Sequence, residues 1–292
     1  MTHDRVTGVM LLYVCGTSAS LRACARALVQ GPSASATTSR VFQNNYELVW
    51  LSNCLHDDLS ILSPGAALQS GDAIIVLPNI ISEAECADLL NAGVQAADAQ
   101  RGSLWRRTLA NLLEATSNNK KSRGRTRVPI KGIANSRPFD DAFAKVLRIV
   151  DEELPSVVDL FQTDSVGALH ASDDLEFSAR EPAFNLYREG GDFNAHVDRQ
   201  TLTVLLYLTP PDSCEGGGTG FWSHDTAFGA TANPSTDAYK PPTVVLDPPV
   251  GTALLYGGRL MHAGMPVTSG MRAIFLGSFS AKRRDLQLLE YE

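Results

Sequence analysis

The spacing of hydrophobic residues changes character along the chain, and the change divides it. The first 64 residues offer an apolar strand (Met10 to Cys15), a helix (Leu21 to Gln30), a linker rich in Ser and Thr, and an apolar stretch around Trp50. No function attaches to them. From Asp72 the pattern sharpens: Ala73 to Leu77 is a β-type run, and Pro78 and Asn79 end it. Ser82 stands three residues before Glu85, a capping-box spacing that predicts a helix through about Ala97. Leu104 to Ala115 and Phe139 to Glu153 repeat their apolar positions every three or four residues and are predicted as further helices. From Pro182 the helical period fades. Short apolar runs follow at Ala183 to Tyr187, Leu202 to Leu208, Thr243 to Leu246, Thr252 to Tyr256 and Ala273 to Phe279, punctuated by Gly, Pro and Asp. Such runs predict an antiparallel sandwich or barrel with the helices packed outside it.

Between two of the predicted helices, Asn118 to Arg137 collects Lys120, Lys121, Arg123, Arg125, Arg127 and Lys131 among glycines, serines and a proline. It reads either as a solvated surface loop or as a lid over an active site.

Composition narrows the classes of function. With 44% hydrophobic and 20% charged residues, the 292-residue chain has material for a substantial core. Its formal charge of -7 argues against general attraction to a phosphate backbone, so no nucleic-acid partner is expected. No stretch reaches the ~20 apolar residues that span a bilayer, so no membrane is expected either. Cys15, Cys24, Cys54, Cys86 and Cys214 contain no CxxC pair, which fits a reducing, cytoplasmic setting. The short apolar run from Val9 to Val14 leaves a secretory signal as the alternative. Nothing here fixes the oligomeric state.

Candidate chemistry begins at His196 and Asp198. Alternate side chains of a strand share a face, so these two can reach one metal ion while Val197 points away. His262, after a strand that ends in a glycine turn, would complete a set of two imidazoles and one carboxylate. That set is the facial triad of non-haem iron(II) oxygenases, which leaves coordination positions open. A 2-oxo acid can chelate there through its keto oxygen and adjacent carboxylate, beside a position for dioxygen. Arg272 follows His262 across the turn Pro266 to Gly270, so an antiparallel return could bring its guanidinium to the same cavity and to a second carboxylate. Tyr207 shares a strand face with Thr203 and Leu205 and either reaches that carboxylate or is a core aromatic. Thr219 and Trp222 either line the pocket or pack their turn, and His224 falls in a long polar loop.

From about Asp72 to Ser280 several blocks, in order, resemble the prolyl 4-hydroxylase-like branch of the iron(II)- and 2-oxoglutarate-dependent dioxygenases. They are Ile74 to Asn79 leading to Ser82 to Cys86, Tyr187 to Asp198 (YREGGDFNAHVD), Leu205 to Leu208 with Glu215 to Phe221 (EGGGTGF), Gly251 to Tyr256, His262, and Val267 to Arg272. The resemblance implies an α+β fold with a double-stranded β-helix (jelly-roll) core, about residues 182–280, and helices packed on one side. The dioxygenase domain would run over residues 65–292, after an N-terminal segment 1–64 of unknown role. It implies iron ligation by His196, Asp198 and His262, with Arg272 on the distal carboxylate of 2-oxoglutarate. It further implies Tyr187 as a hydrogen-bond partner of that cosubstrate, dioxygen as the oxidant, and ascorbate as a further candidate cofactor. Collagen-type members of the branch carry lysine where Arg272 stands, so the resemblance does not point to collagen.

The implied activity is hydroxylation of an unactivated C–H bond, with 2-oxoglutarate decarboxylated to succinate. The substrate would be a prolyl residue of a protein or peptide, or alternatively a free amino acid or small metabolite. Two other readings keep the fold but not the chemistry: a non-catalytic metal-binding jelly-roll, and a cupin-like enzyme that uses no 2-oxoglutarate. A buried arginine near the metal would favour the oxo acid over these.

Overall fold

The computed structural model describes residues 38–43, 45–51, 62–111, 124–161, 175–223 and 240–282. In chain order the described elements are β1 (Ser39–Gln43), β2 (Tyr46–Trp50), α1 (Pro64–Ser70), β3 (Ala73–Leu77), α2 (Glu83–Asn111) and β4 (Arg125–Pro129). Next come α3 (Arg137–Glu153), α4 (Pro155–Val158), β5 (Leu175–Phe177), β6 (Ala183–Arg188), β7 (Phe193–His196) and β8 (Leu202–Tyr207). The chain continues through β9 (Cys214–Gly216), β10 (Thr219–Trp222), β11 (Val244–Leu246), β12 (Ala253–Tyr256), β13 (Met261–Gly264) and β14 (Val267–Ala281). The predicted strand at Met10 to Cys15 and helix at Leu21 to Gln30 lie outside the described residues.

The strands form two facing antiparallel sheets. The larger runs β1-β2-β3-β12-β8-β14-β6-β4, with β5 and β9 also pairing along β14, and the smaller runs β11-β10-β13-β7. This is the expected jelly-roll, an α+β arrangement with its helices on one side.

Alternation along the central strands explains both faces of the large sheet. Phe184 and Leu186 of β6, Val204 and Leu206 of β8, and Phe275 and Phe279 of β14 join one core with Phe139, Phe143, Val146 and Val150 of α3. Phe139 meets Phe275 edge-on at 5.2 Å between ring centroids, and Phe143 meets Phe279 at 5.5 Å. Each such ring contributes roughly 1.5–3 kcal/mol by leaving water. The intervening residues, Tyr187, Leu205, Tyr207, Ile274 and Leu276, point the other way and pack with Phe221, Val244 and Leu246 of the small sheet. The functional side chains therefore share the inner face, and the helices brace the outer one.

Two expectations need correction. The helix from Ser82 does not stop near Ala97: α2 is continuous to Asn111, and residues 112–115 lie outside the described set. The polar stretch Asp98 to Ser103 interrupts the apolar period, but it holds no proline, and Gly102 costs a helix only about 1 kcal/mol. The basic segment is not a single loop either. Arg125–Pro129 is a strand paired with β6, with Thr126 and Val128 buried between more exposed neighbours. Its period-two pattern was masked by charge; residues 118–123 lie outside the described set. On the opposite side, β1 and β2 continue the large sheet through β3, with Leu48 opposite Ile75.

The start of α2 is held as its spacing predicts. Ser82 Oγ accepts from Glu85 N at 3.2 Å, and Glu85 Oε2 accepts from Ser82 N at 2.9 Å. Glu85 also pairs with Lys145 of α3. Gly93 brings the helix down on the sheet, since a Cβ there would lie 2.5 Å from the Phe184 ring. Ser82→Ala is expected to destabilise the protein by about 1 kcal/mol, the usual cost of losing such a cap, read as a lower urea midpoint.

Candidate metal and cosubstrate site

The strand register brings the three candidate metal ligands together. His196 closes β7 directly opposite His262 of β13, and Asp198 follows two residues later. Asp198 Oδ1 lies 3.4 Å from His196 Nε2, and its Oδ2 lies 3.4 Å from His262 Nε2. All three ligand atoms fall within 4.8 Å of one another. Both histidines engage a backbone carbonyl through Nδ1, His196 with Asn194 O at 2.8 Å and His262 with Leu260 O at 3.0 Å. Those contacts fix Nδ1 as the protonated nitrogen and turn the lone pair of each Nε2 inward.

Protonation suits a cation as well. Burial holds the His262 imidazole down at about 4, against the opposing pull of Asp198. Burial opposes ionisation of Asp198, but its contacts with His196, His262 and Thr203 hold its carboxyl well below the usual range. Thr203 Oγ1 donates to Asp198 Oδ2 at 2.7 Å. Neutral imidazoles beside an ionised carboxylate are the forms that ligate a metal.

Arg272 is buried on β14, opposite Tyr187 of β6. Its Nη2 donates to Thr219 Oγ1 at 2.7 Å and to Tyr207 Oη at 3.1 Å. Nε and Nη1 are also buried and find no hydrogen-bond partner among the described residues. The guanidinium carbon lies 5.2 Å from the Tyr187 ring centroid and 5.1 Å from that of Tyr207. Burial pushes up the carboxyl of nearby Asp247, which Arg272 in part offsets.

One cavity of about 230 Å³ joins these groups. His196, Asp198, His262, Arg272 and Tyr187 all line it. Tyr207 does not: its hydroxyl is engaged by Thr219 Oγ1 at 2.6 Å and by Leu246 O at 3.2 Å, so it props Arg272 from behind. Thr219 does line the cavity, whereas Trp222 donates Nε1–H to Lys240 O and packs its turn. His224 lies outside the described residues. Gly264 of β13 permits the close approach of the facing sheet, because a Cβ there would stand 3.2 Å from the Tyr187 hydroxyl on β6.

Several lining residues escape a reading by motif, namely Thr203, Tyr256, Asn185, Arg127 and Glu181. Thr203 was discoverable from the strand face it shares with Leu205 and Tyr207. Tyr256 has its ring centroid 4.7 Å from that of His262, and its buried hydroxyl has no partner among the described residues. Only the pairing of β12 with β8 brings it there, and no local spacing announces it.

Comparison with known proteins agrees with this geometry. Residues 182–279 match the model of the 2OG-Fe(II) oxygenase superfamily. A PKHD-type hydroxylase of Teredinibacter turnerae is 34% identical over 103 residues, 31% of this chain and 38% of that protein. A PKHD-type hydroxylase of Pseudomonas putida strain W619 is 32% identical over 120 residues, 36% of this chain and 46% of that protein. The chain thus spans less than half the length of these relatives. A viral collagen prolyl hydroxylase from Paramecium bursaria Chlorella virus-1 superposes with a TM-score of 0.42 at 15% identity, covering 72% of this chain and 96% of that one. The match to the 2OG-Fe(II) oxygenase superfamily spans β6 to β13 and most of β14, and His196, Asp198, His262 and Arg272 all fall within these matched residues, to which that superfamily is similar.

Proposed function

We propose that the protein is an iron(II)- and 2-oxoglutarate-dependent dioxygenase that hydroxylates an unactivated C–H bond of a peptide or small molecule. The observation that carries this reading is Arg272, a buried guanidinium whose Nε and Nη1 lack partners among the described residues, on the wall of the cavity that also holds the His-Asp-His cluster. Burying a cation with unmet donors costs free energy, and a planar carboxylate accepting from its fork offsets that cost. A cupin-like or non-catalytic jelly-roll would have no carboxylate in the cavity to answer Arg272.

His196, Asp198 and His262 would hold iron(II), and Arg272 with Thr219 would hold the distal carboxylate of 2-oxoglutarate. Bound together, iron(II) and 2-oxoglutarate supply activated dioxygen, with the oxo acid leaving as succinate and carbon dioxide. The chain's own part is orientation and exclusion of water. Thr203 fixes Asp198 in its ionised, inward orientation, and Tyr207 and Thr219 set the direction of the Arg272 fork. Leu205, Ile274 and Leu276 keep the cavity floor apolar between those polar ends. We assign this chemistry to the unit of residues 65–292, whose large sheet the hairpin β1-β2 extends.

The test is optical. Anaerobic protein given iron(II) and 2-oxoglutarate should develop a weak visible charge-transfer band that requires both additions. Folded, iron-loaded protein without the band would remove 2-oxoglutarate from the reading.

A further inference from the structure

One buried hydroxyl in the cavity has no task in the metal and cosubstrate assignments above. Tyr256 closes β12, is 0% exposed, and lines the cavity. Its strand neighbours are Thr203 of β8 and Ile74 of β3. From the facing sheet Phe221 and His262 cover its ring, at 5.3 Å and 4.7 Å between centroids. Its Oη is buried without a hydrogen-bond partner among the described residues. A hydroxyl unanswered at such a position costs free energy until an acceptor arrives.

The strand ladder says where that acceptor arrives. Thr203, opposite Tyr256, is the residue that holds Asp198. Burial and then the charge of Asp198, ahead of Tyr207, Glu181 and Tyr187, push the pKa of the Tyr256 hydroxyl up, so Asp198 is the charge it feels most. Tyr207, which props Arg272, stands four residues from Thr203 along β8, roughly 13 Å at about 3.3 Å per residue. Tyr256 therefore belongs to the metal end of the cavity. The mouth is on the other flank, where Ala179, just before β6, is exposed and Arg127 and Glu181 are half-buried. β6 is three strands from β12, roughly 14 Å at about 4.8 Å per strand, so Tyr256 faces the metal cluster from the closed side. Asp198 itself is not the acceptor, since Thr203 holds its Oδ2 and Tyr256 makes no hydrogen bond to it.

We propose that Tyr256 is a further cosubstrate-binding residue, whose hydroxyl donates to the metal-chelating carboxylate of 2-oxoglutarate at the end opposite to Arg272. This rests on the dioxygenase reading above and deepens it. A phenol with an ordinary pKa of about 10 is protonated at neutral pH, so Tyr256 enters the site as a donor. Of the groups that take the open positions of the metal, the oxo acid's carboxylate is the anionic acceptor. Hydrogen bonds to an ionised oxygen are about twice as strong as neutral ones. The oxo acid is then held at both ends by buried donors already in place, Arg272 and Thr219 on the distal carboxylate and Tyr256 on the chelating one. A donor at each end selects one orientation of the chelate.

The test reads binding and a spectrum, not turnover. Tyr256→Phe removes one oxygen and keeps the ring that packs against His262 and Phe221. In manganese(II)-loaded protein it should weaken 2-oxoglutarate by about tenfold or more, the loss of one hydrogen bond to a charged group, read by titration calorimetry. Oxalate, which chelates a metal but has no distal carboxylate, should be weakened as much. Arg272→Met should weaken 2-oxoglutarate and leave oxalate nearly unchanged. The manganese(II) affinity of Tyr256→Phe without oxo acid should stay that of the wild type, which also shows that the variant is folded. With iron(II) under anaerobic conditions its charge-transfer band should move to shorter wavelength, because the lost hydrogen bond had lowered the acceptor orbital of the chelate. Unchanged affinity for both oxo acid and oxalate, a loss confined to 2-oxoglutarate, or an unmoved band would each overturn the proposal. So would a fall in metal affinity, which would tie the hydroxyl to Asp198, or a variant that fails to fold, which would make it structural. A wild type that binds iron(II) but forms no band with 2-oxoglutarate would overturn the dioxygenase reading and this one with it.

Discussion

His262→Ala is expected to abolish turnover and to weaken iron(II) by more than the roughly 10–100-fold that losing a supporting contact costs a metal site. His262 is buried, presents Nε2 to Asp198 at 3.4 Å, and sits in register opposite His196. Its replacement removes one of three donors and opens a gap beside Tyr256 and Phe221, which no neighbouring ligand can fill. Thr203→Val supplies the contrast. It keeps all three donors and removes only the 2.7 Å hydrogen bond to Asp198, so its iron(II) affinity should fall within that 10–100-fold range. Iron titration of the anaerobic proteins, with circular dichroism to verify folding, checks both. Equal losses in the two variants would mean that the cluster does not bind iron through His262.

The candidate ligands are readable from sequence because the relevant geometry is local or nearly so. Period two in a strand puts His196 and Asp198 on one side, and a turn between His262 and Arg272 sends the chain back across the same cavity. The apolar runs after Pro182 announce their strands for the same reason, since buried alternation is imposed residue by residue. What stays hidden depends on partners far away in the chain. Tyr256 joins the site only through the pairing of β12 with β8, and Asn185 is a buried polar residue among the buried apolar and aromatic residues of β6. Tyr207 illustrates the limit from the other direction. Its strand face is predictable, but that Thr219 and the carbonyl of Leu246 occupy its hydroxyl depends on the facing sheet. Charge misleads where it overlies periodicity, so Arg125 and Arg127 disguise an edge strand as a loop. Polarity misleads similarly at Asp98 to Ser103, where a helix passes through a stretch that has no apolar face.

Arg272→Met is expected to raise the dissociation constant of 2-oxoglutarate by roughly 30-fold to several thousandfold while leaving iron(II) binding nearly unchanged. The range follows from the about 2–5 kcal/mol lost when one partner of a buried, hydrogen-bonded charge pair is truncated, at about 1.4 kcal/mol per tenfold. Methionine keeps most of the apolar bulk of the stem, so the fold contacts of β14 with β6 and β8 survive and the change isolates the guanidinium. Arg272→Lys should recover only part of the loss. An ammonium restores the charge, but it cannot span Thr219, Tyr207 and a carboxylate at once as the planar fork does. The separation of the two affinities is what makes the experiment decisive. Arg272 stands at one end of the cavity and the His-Asp-His cluster beside another wall, so a cosubstrate role predicts a defect in one ligand alone. Parallel losses of iron and 2-oxoglutarate would instead mark Arg272 as a structural prop, and unchanged 2-oxoglutarate affinity would show that its unmet donors answer some other group.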